Sequence, residues 1–277
     1  MTADWDAQRY HRVSNPQVTW GLRVLDRLVL RGDETVMDAG CGTGRLTAEL
    51  LQRLPRGGVI AVDQSAGMLK AARSYLEPRF GGRVELVQAN ILNVKVDAVD
   101  GVFSTATFHW IHDHASLFAH LYGLVKPGGF LHAQCGGGPN VARLHQRAAG
   151  LMQTDPFAPH FSSWTEPWEF ADAETTANRL RAAGWADIKT ELEPTPVVFD
   201  GPMEFAEFIE TVVLRPYLAY LPSAALRTQF VDAITALAAA DQPPFELDYW
   251  RLNMHARRPE RSPDPPSGRS RLGCGAR

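Results

Sequence analysis

The feature that most constrains the fold is a pair of short apolar segments that each end in an aspartate, joined by a glycine-rich turn and one helix. Residues 35–38 (TVMD) and 58–63 (GVIAVD) have the continuous apolar character of strands buried on both faces. Between them, leucines recur at helical spacing over residues 44–54, and Pro55 with the following glycines ends that helix. The pattern predicts a strand–helix–strand crossover, which requires a parallel sheet covered by helices.

The same alternation continues along the first half of the chain. Helices are predicted at residues 65–76 and 115–125, and strands at residues 84–87, 101–103 and 130–134. We therefore predict an α/β fold, a doubly wound and mostly parallel sheet whose ligand sites lie at the carboxyl ends of the strands.

The second half of the chain is less regular. We predict a helix at residues 172–184, a strand at 186–192, helices broken by prolines over 205–240, and a last strand at 245–255. The helical stretch falls between the last two strands. We expect it to form an inserted helical cap, at about residues 200–242, within a single domain of residues 1–256.

The last 21 residues differ in composition from the body. Residues 257–277 contain four prolines, three glycines and six arginines, and we expect a disordered tail, with a phosphate-binding tail as the alternative. The tail contributes +4 to a formal net charge of −3, so the body carries −7. An acidic body argues against a nucleic-acid partner.

Nothing in the sequence predicts export or membrane insertion. No apolar run approaches the length of a membrane span, and the first residues lack the basic and apolar regions of a signal peptide. The three cysteines stand at spacings that match neither a disulfide framework nor a zinc site. We expect a cytoplasmic protein that binds no membrane.

The glycine turn, DAGCGTG at residues 38–44, favours a ligand without phosphate. It reads G-x-G-x-G rather than the G-x-G-x-x-G of dinucleotide sites, and Asp38 would repel a pyrophosphate but orient an ammonium group. Asp63 ends the second strand, where a carboxylate can accept from both ribose hydroxyls. Together the two acids match S-adenosylmethionine. The alternative is local: Asp38 caps a turn and Asp63 caps the helix near Ser65.

Four segments carry a resemblance to a known family. VMDAGCGTGRLT, AVDQSAGML, VQANI and KPGGFL occur in the order found in the class I, Rossmann-like S-adenosylmethionine-dependent methyltransferases, over about residues 5–256. WDAQRY, FHWIHD and LRPYLAYLP resemble the trans-aconitate methyltransferase branch. The resemblance implies a seven-stranded sheet whose last strand is antiparallel to the others.

The resemblance also implies cofactor-binding residues at the matching positions. They are Gly40, Gly42 and Gly44 along the methionine part, Asp63 at the ribose, Gln64, Asn90 and Ile91 around the adenine, Thr105 and Ala106 beside the sulfonium, and Tyr10 and Gln17 on an N-terminal helix that closes over the cofactor. Asn90 departs from the family's usual Asp and accepts a hydrogen bond without charge. For Tyr10 and Gln17 the alternative is a surface helix that packs on the core.

A histidine-rich segment after the fourth strand predicts the acceptor side of the site. His109, in HWIHDH, is the candidate catalytic residue, as base or as hydrogen-bond donor, and Trp110 would form a wall of the pocket. Three histidines and an acid also suggest a metal, but no second cluster of ligands follows, and we expect none. His112, Asp113 and His114 instead favour the start of the next helix.

Arg215 is the residue expected to reach from the cap toward an anionic acceptor, and a solvated helix arginine is the alternative. The segment NPQVT at residues 15–19 is poorer in arginine than the branch it resembles. A tricarboxylate would therefore be poorly neutralised, and we expect a small, less charged and partly apolar acceptor.

These features predict an S-adenosylmethionine-dependent methyltransferase that methylates a small molecule on oxygen, at a carboxylate or a hydroxyl. The alternatives are methyl transfer to carbon or nitrogen of a small metabolite, a nicotinamide-dependent oxidoreductase, and a non-catalytic protein that binds the same cofactor. The oligomeric state is left open.

Overall fold

The five strands predicted in the first half of the chain are all present in the computed structural model, which describes residues 15–260. They are β1 (Thr35–Ala39), β2 (Gly58–Asp63), β3 (Val84–Gln88), β4 (Val99–Thr105) and β5 (Val125–Gly136). All pairings among these five strands are parallel, and β1 lies between β2 and β4. The crossover pattern read from the sequence therefore gives the predicted parallel sheet.

The later strands complete the sheet with one reversal of direction. They are β6 (Ala186–Pro194), β7 (Val197–Val198), β8 (Glu246–Leu247) and β9 (Trp250–Arg257). The main sheet has seven strands in the order β3-β2-β1-β4-β5-β9-β6. Strand β9 is antiparallel to both of its neighbours, so the expected antiparallel last strand is confirmed.

The last strand is shorter than predicted. Residues 245–255 were expected to be continuous, but β8 pairs with β7 in a separate two-stranded sheet, and β9 begins at Trp250. The backbone between them is diverted: Phe245 has a positive φ of 56°, and the carbonyl of Asp248 accepts from the N–H of Val141.

Nine helices are found among the described residues, most of them flanking the sheet. They are α1 (Asn15–Asp26), α2 (Arg45–Arg53), α3 (Ala66–Phe80), α4 (His114–Leu124), α5 (Ala142–Leu151), α6 (Ala173–Ala182), α7 (Pro202–Phe208), α8 (Arg215–Leu218) and α9 (Ala224–Ala238). One face of the main sheet packs against α1, α2 and α3, and the other against α4 and α6. The fold is therefore doubly wound, as predicted.

Several helices begin where a short polar side chain satisfies a free backbone N–H. Ser65, Asp113, Asp172 and Ser223 are the N-caps of α3, α4, α6 and α9, and each accepts from the N–H three residues later. These bonds replace partners that the first turn of a helix lacks. Asp113 as the N-cap of α4 confirms that the histidine-rich segment runs into a helix.

A second apolar core lies over the sheet and is built by helices inserted around β6. We call this layer the cap: α5, the loop at residues 152–170, and α7 to α9 with the π-helix Ile209–Val213. Its buried side chains are mostly aromatic and aliphatic and form one cluster. The cap is larger than the predicted residues 200–242, because α5 and the loop after it pack into the same cluster.

The folded body extends past the boundary expected at residue 257. Arg257 is the last residue of β9, and Arg258 Nη1 donates to the carbonyls of Tyr122 and Val125 at 2.8 and 2.6 Å. Residues 261–277, the rest of the expected tail, lie outside the described residues, as does Tyr10. Within residues 15–260, none of the helices combines the length and the apolar character needed to cross a bilayer.

Candidate active site

The glycine turn follows β1 and is fixed against the sheet by its backbone. Gly40 has a φ of 88°, and its N–H donates to the carbonyl of Val62 at 2.8 Å. A Cβ at Gly40 would lie 2.1 Å from Thr107 Oγ1, which is far inside van der Waals contact. Both the left-handed backbone and the close approach require glycine here.

The turn is closed on its core side and open at its centre. Gly44, the N-cap of α2, has a φ of 82°, and a Cβ there would lie 2.7 Å from Leu76 Cδ1. At Gly42 an added Cβ would meet no atom within 4 Å. The turn therefore forms a backbone-lined cradle with free space over Gly42.

Asp63 at the end of β2 is held by two backbone donors. Its Oδ2 accepts from the N–H of Gly42 at 2.9 Å, and its Oδ1 accepts from the N–H of Ser65 at 2.9 Å. Because each carboxylate oxygen has two lone pairs, both can accept a second hydrogen bond. The side chain is half-buried beside the cradle, so it fits a vicinal diol while also ordering the start of α3.

Asp38 has a more internal position than the sequence suggested. It is 2% exposed, and Thr47 Oγ1 donates to its Oδ2 at 2.6 Å. Burial raises the pKa of Asp38 to about 7, with the negative charge of Asp63 adding to the effect and the Thr47 hydrogen bond opposing it. This geometry favours the local role of Asp38, which is to cap the turn. Its direct contact with a ligand's ammonium group stays a prediction.

The side expected to hold the adenine is formed by the residues after β2 and β3. Gln64 and Asn90 are exposed, and the side chain of Ile91 is buried. Asn90 Oδ1 accepts from the N–H of Leu92 at 2.9 Å, so this oxygen already orders the local turn. One lone pair on it stays available, and the roles of Gln64, Asn90 and Ile91 stay predictions.

The loop at residues 105–107, which begins with the last residue of β4, joins the glycine turn to a neighbouring cavity. The Thr107 hydroxyl lies 3.3 Å from the carbonyl of Gly40 and 2.9 Å from that of Thr105. Ala106 has a φ of 53°, its N–H donates to the carbonyl of Gln134 at 2.8 Å, and the residue lines the cavity. A ligand in the turn and a molecule in the cavity would therefore meet at this loop.

The cavity lies between the edge of the main sheet and the cap, and its volume is about 60 Å³. Its aromatic and aliphatic lining residues are Trp110, Trp168, Phe170, Tyr249, Val141, Val212 and Val213, and its polar lining residues are Gln17, His109, Asn140, His145 and Arg251. Such a mixture, mostly apolar with a few polar groups, is typical of small-molecule sites. The volume accommodates a few water molecules, so a larger acceptor requires the cap side to move.

His109 is held with one ring nitrogen occupied. The N–H of Gly136 donates to His109 Nδ1 at 3.3 Å, and the ring stacks on Phe170 with centroids 5.8 Å apart. Desolvation lowers the pKa of His109 well below its usual value, and the positive charge of Arg251 adds to this effect. The imidazole is therefore neutral at pH 7, with its hydrogen on Nε2.

Arg251 is the basic residue that the structure brings to the cavity, and the sequence analysis missed it. It lies on β9 opposite Gly136 and is 3% exposed, with its guanidinium carbon 4.7 Å from the centroid of the Trp20 ring. Arg215, the predicted candidate, begins α8 and is not among the lining residues. The available signal was weak, because Arg251 is one of several polar residues in the strand and only its burial sets it apart.

Two further polar groups at the cavity have buried atoms without a hydrogen-bond partner among the described residues. They are Gln17 Oε1 and His145 Nε2. Gln17 lies on α1 and lines the cavity, and its expected contact with the cofactor stays a prediction. His145 lies on α5, a helix that the sequence analysis did not predict. Buried unpaired polar atoms at a cavity mark positions where a ligand can bond.

The histidines of the segment HWIHDH separate in the structure. His112 is exposed, while His114 is buried, with Nε2 3.0 Å from the carbonyl of Phe108 and Nδ1 3.1 Å from Arg179 Nη1. Within residues 15–260, His, Cys, Asp and Glu side chains nowhere form a group of three or more that could hold a metal.

The family model and two relatives that match this chain are all methyltransferases. Residues 36–129 match the model of a methyltransferase domain family. The trans-aconitate 2-methyltransferase of Azoarcus sp. (strain BH72) is 31% identical over 228 residues, which cover 78% of this chain and 83% of the relative. The Deinococcus radiodurans protein of the same name is 28% identical over 270 residues, 92% of this chain and 99% of the relative.

Solved structures show the same fold at lower identity. A methyltransferase-like protein from Bacillus halodurans superimposes with a TM-score of 0.62 at 16% identity, covering 87% of this chain and 99% of its own. Phosphoethanolamine N-methyltransferase 2 of Haemonchus contortus, in complex with S-adenosylhomocysteine, gives a TM-score of 0.61 at 18% identity, covering 92% of this chain and 57% of its own.

Proposed function

Because this chain belongs to the family of S-adenosylmethionine-dependent methyltransferases that includes the trans-aconitate 2-methyltransferases, we propose that it converts a carboxylate of a small organic acid into its methyl ester. The observation that carries this proposal is the position of Arg251, which is buried and lines the same cavity as Ala106. A buried guanidinium is the side chain best suited to hold a carboxylate.

The residues at the glycine turn fit the cofactor. S-adenosylmethionine supplies an electrophilic methyl group on a positively charged sulfur when it is bound. The space over Gly42 accepts a ligand against the backbone, and Asp63 can accept hydrogen bonds from two ribose hydroxyls. In this assignment Gly40 and Gly44 keep the turn in shape, while Thr105 and Ala106 stand between the cofactor and the acceptor.

The state of His109 favours a carboxylate over a hydroxyl acceptor. A hydroxyl must lose a proton before or during transfer and needs a base, whereas a carboxylate is already the nucleophile. Since Nδ1 of the neutral ring accepts from Gly136, Nε2 carries the hydrogen and can only donate. His109 is therefore assigned as a donor that orients an acceptor oxygen, not as a base.

The remaining contribution of the protein is alignment. Arg251 would hold the acceptor oxygens, and the ring of Trp110 with its cap neighbour Trp168 would exclude water. Among the described lining residues, Arg251 carries the single permanent positive charge, and none is acidic. A cavity with one positive charge suits one carboxylate better than the tricarboxylate that appears in the names of the relatives.

Transfer of tritium from [methyl-³H]S-adenosylmethionine tests the proposal. The protein is incubated with mono-, di- and tricarboxylic acids, and the product is treated with mild base, which releases methanol from a methyl ester but not from an ether, an N-methyl or a C-methyl group. We expect base-labile label with monocarboxylic acids. Label that stays in the product after base would contradict carboxylate methylation, and no transfer to any acid by protein that binds S-adenosylhomocysteine would do so as well.

A further inference from the structure

His145 on α5 and Tyr217 on α8 form a polar pair inside the apolar cap. His145 Nδ1 lies 2.7 Å from Tyr217 Oη, which is a short hydrogen bond. The centroid of the imidazole lies 4.6 Å from that of the Trp168 ring, at a tilt of 59°, and the phenol stacks on the Trp164 ring with centroids 4.5 Å apart. Five aromatic contacts with other rings hold the imidazole and the phenol in place, so the orientation of the pair is fixed by packing.

The direction of this hydrogen bond determines what His145 can offer a ligand. Burial raises the pKa of Tyr217 well above its ordinary value, so the phenol keeps its hydrogen. In the described part of the chain, His145 Nδ1 is the partner found for that hydroxyl. Nδ1 therefore accepts, and the neutral ring carries its hydrogen on Nε2.

This second nitrogen is buried and has no partner within residues 15–260, although His145 lines the cavity. A buried N–H without an acceptor has lost its hydrogen bonds to water with nothing to replace them. Burial also lowers the pKa of His145 to about 4, so the group is uncharged at neutral pH. An oxygen of the bound molecule would satisfy the N–H without bringing a second charge.

We propose that His145 Nε2 is a specificity-determining donor that binds an uncharged oxygen, a ketone or a hydroxyl, on the body of the acceptor. This inference rests on the proposed function, since it takes the carboxylate to be held by Arg251. The sheet then provides the cationic contact and the cap provides the neutral one. The substrate class is an oxo or hydroxy monocarboxylic acid.

The charge of the cavity separates this class from a dicarboxylic acid. A second carboxylate beside neutral His145 would be desolvated without a counter-charge, because Arg251 is already engaged. A ketone or hydroxyl oxygen at this position, in place of the second carboxylate, carries no such desolvation cost. Adipate is therefore the informative competitor for an oxo acid of the same length.

The experiment compares kcat/KM for hexanoate, 4-oxohexanoate, 5-oxohexanoate and adipate in four proteins: wild type, His145→Phe, Tyr217→Phe and His112→Phe. Phenylalanine keeps the aromatic stacking at residues 145 and 217 and removes the polar atoms. His112 is exposed and provides a matched control for the substitution itself. Binding of S-adenosylhomocysteine to each variant, measured by calorimetry, reports whether the cofactor side is intact.

We expect wild type to prefer one of the oxo acids to hexanoate by about tenfold, the effect of one buried hydrogen bond. In His145→Phe this preference falls to within about twofold, and in Tyr217→Phe it is reduced, because Nδ1 loses its donor. In His112→Phe the preference is retained.

The inference is overturned, and the proposed function left standing, if wild type esterifies the oxo acids no better than hexanoate or if His145→Phe keeps the preference. Preference for adipate that disappears in His145→Phe also overturns it, since the second oxygen would then be charged. If wild type binds S-adenosylhomocysteine but esterifies none of the acids, the proposed function fails first and the inference with it.

Discussion

The cofactor side and the acceptor side of this protein are built in different ways. The glycine turn is a backbone structure: its N–H groups bond to Val62 and Asp63, and the approach of Thr107 leaves no room for a Cβ at Gly40. The acceptor cavity is made of side chains from α1, α5, β9 and the π-helix, which are far apart in the sequence. A site built from backbone atoms, like the glycine turn, keeps the same cofactor when side chains change. A site built from side chains, like the cavity, changes its specificity when those residues are substituted.

The two sides meet at the loop of residues 105–107. Thr107 contacts the turn, and Ala106 lines the cavity. Each side should therefore respond separately to mutation, except at this loop. The substitutions below test that separation, beginning with the largest expected effect.

Gly40→Ala should abolish binding of S-adenosylhomocysteine and destabilise the fold. Alanine at a φ of 88° costs about 1–2 kcal/mol. Its Cβ would also overlap the side chain of Thr107. We expect affinity to fall by more than about 100-fold, as for a displacement near 1 Å at a binding site. Calorimetric titration measures the affinity, and thermal unfolding measures the stability.

Gly42→Ala is the control for the overlap with Thr107, because Gly42 also has a positive φ, 55°, but an added Cβ there has open space. It should weaken cofactor binding while lowering the melting temperature less than Gly40→Ala does. Equal loss of stability in the two variants would show that the fixed side of the turn has been misidentified.

Arg251→Met should reduce kcat/KM for an acid substrate by about 100-fold, since about 3 kcal/mol of charge-assisted hydrogen bonding is lost. Binding of S-adenosylhomocysteine should change little, because Arg251 lies on the acceptor side. Steady-state esterification and calorimetry check the two parts. Arg215→Met is the matched control, since Arg215 does not line the cavity; a larger loss in that variant would restore the sequence-based prediction.

Asp63→Asn should weaken S-adenosylhomocysteine by about 30-fold, or about 2 kcal/mol, because the charged acceptor of the ribose hydroxyls becomes an amide. The turnover number at saturating cofactor should stay close to wild type, since Asp63 is not among the residues that line the cavity. Unchanged affinity in calorimetry would remove the ribose assignment.

The smallest expected effect concerns stability at acid pH. Burial lowers the pKa of His132 to about 4, with the positive charge of His255 adding to the effect. Its Nε2 donates to the carbonyl of Val24 at 3.0 Å, away from the cavity. The folded state therefore binds fewer protons than the unfolded state, in which the pKa is about 6.5, and stability falls as pH drops from 6.5 toward 4.

We expect His132 to account for on the order of 2 kcal/mol of this loss at pH 5. His132→Gln, which keeps a donor for Val24, should lose less stability between pH 7.5 and pH 5 than wild type, with unchanged esterification at pH 7.5. His145→Phe should reduce the same pH dependence and also alter acceptor preference. Equal losses in wild type and His132→Gln, measured by calorimetry, would contradict this account.

The cofactor side could be predicted from the sequence because its signals are local. A glycine turn between a buried strand and a helix, followed by Asp63 at the next strand end, lies within 26 consecutive residues, 38–63. The parallel order of β1 to β5 follows from the same crossover pattern. The internal position of Asp38 could not be predicted, because its bond to Thr47 depends on how α2 packs, and the contacts of the other residues with the cofactor stay predictions.

The acceptor side could not be predicted in this way, because its residues are brought together by long-range register. Arg251 reaches the cavity because β9 pairs antiparallel with β5 and places it opposite Gly136. The position of His145 depends on the packing of α5 within the cap, and no periodicity in the sequence defined how far the cap extends. His109 and Trp110 were predicted because they follow a strand end directly, and both line the cavity.

A crystal structure with S-adenosylhomocysteine and an oxo acid bound together tests the central claim most directly. We expect the nucleoside to lie over Gly42 with its ribose hydroxyls on Asp63, and the carboxylate to lie on Arg251 facing the sulfur past Ala106. A ribose away from Asp63, or a carboxylate bound by Arg215 instead of Arg251, would contradict the division of the site described above.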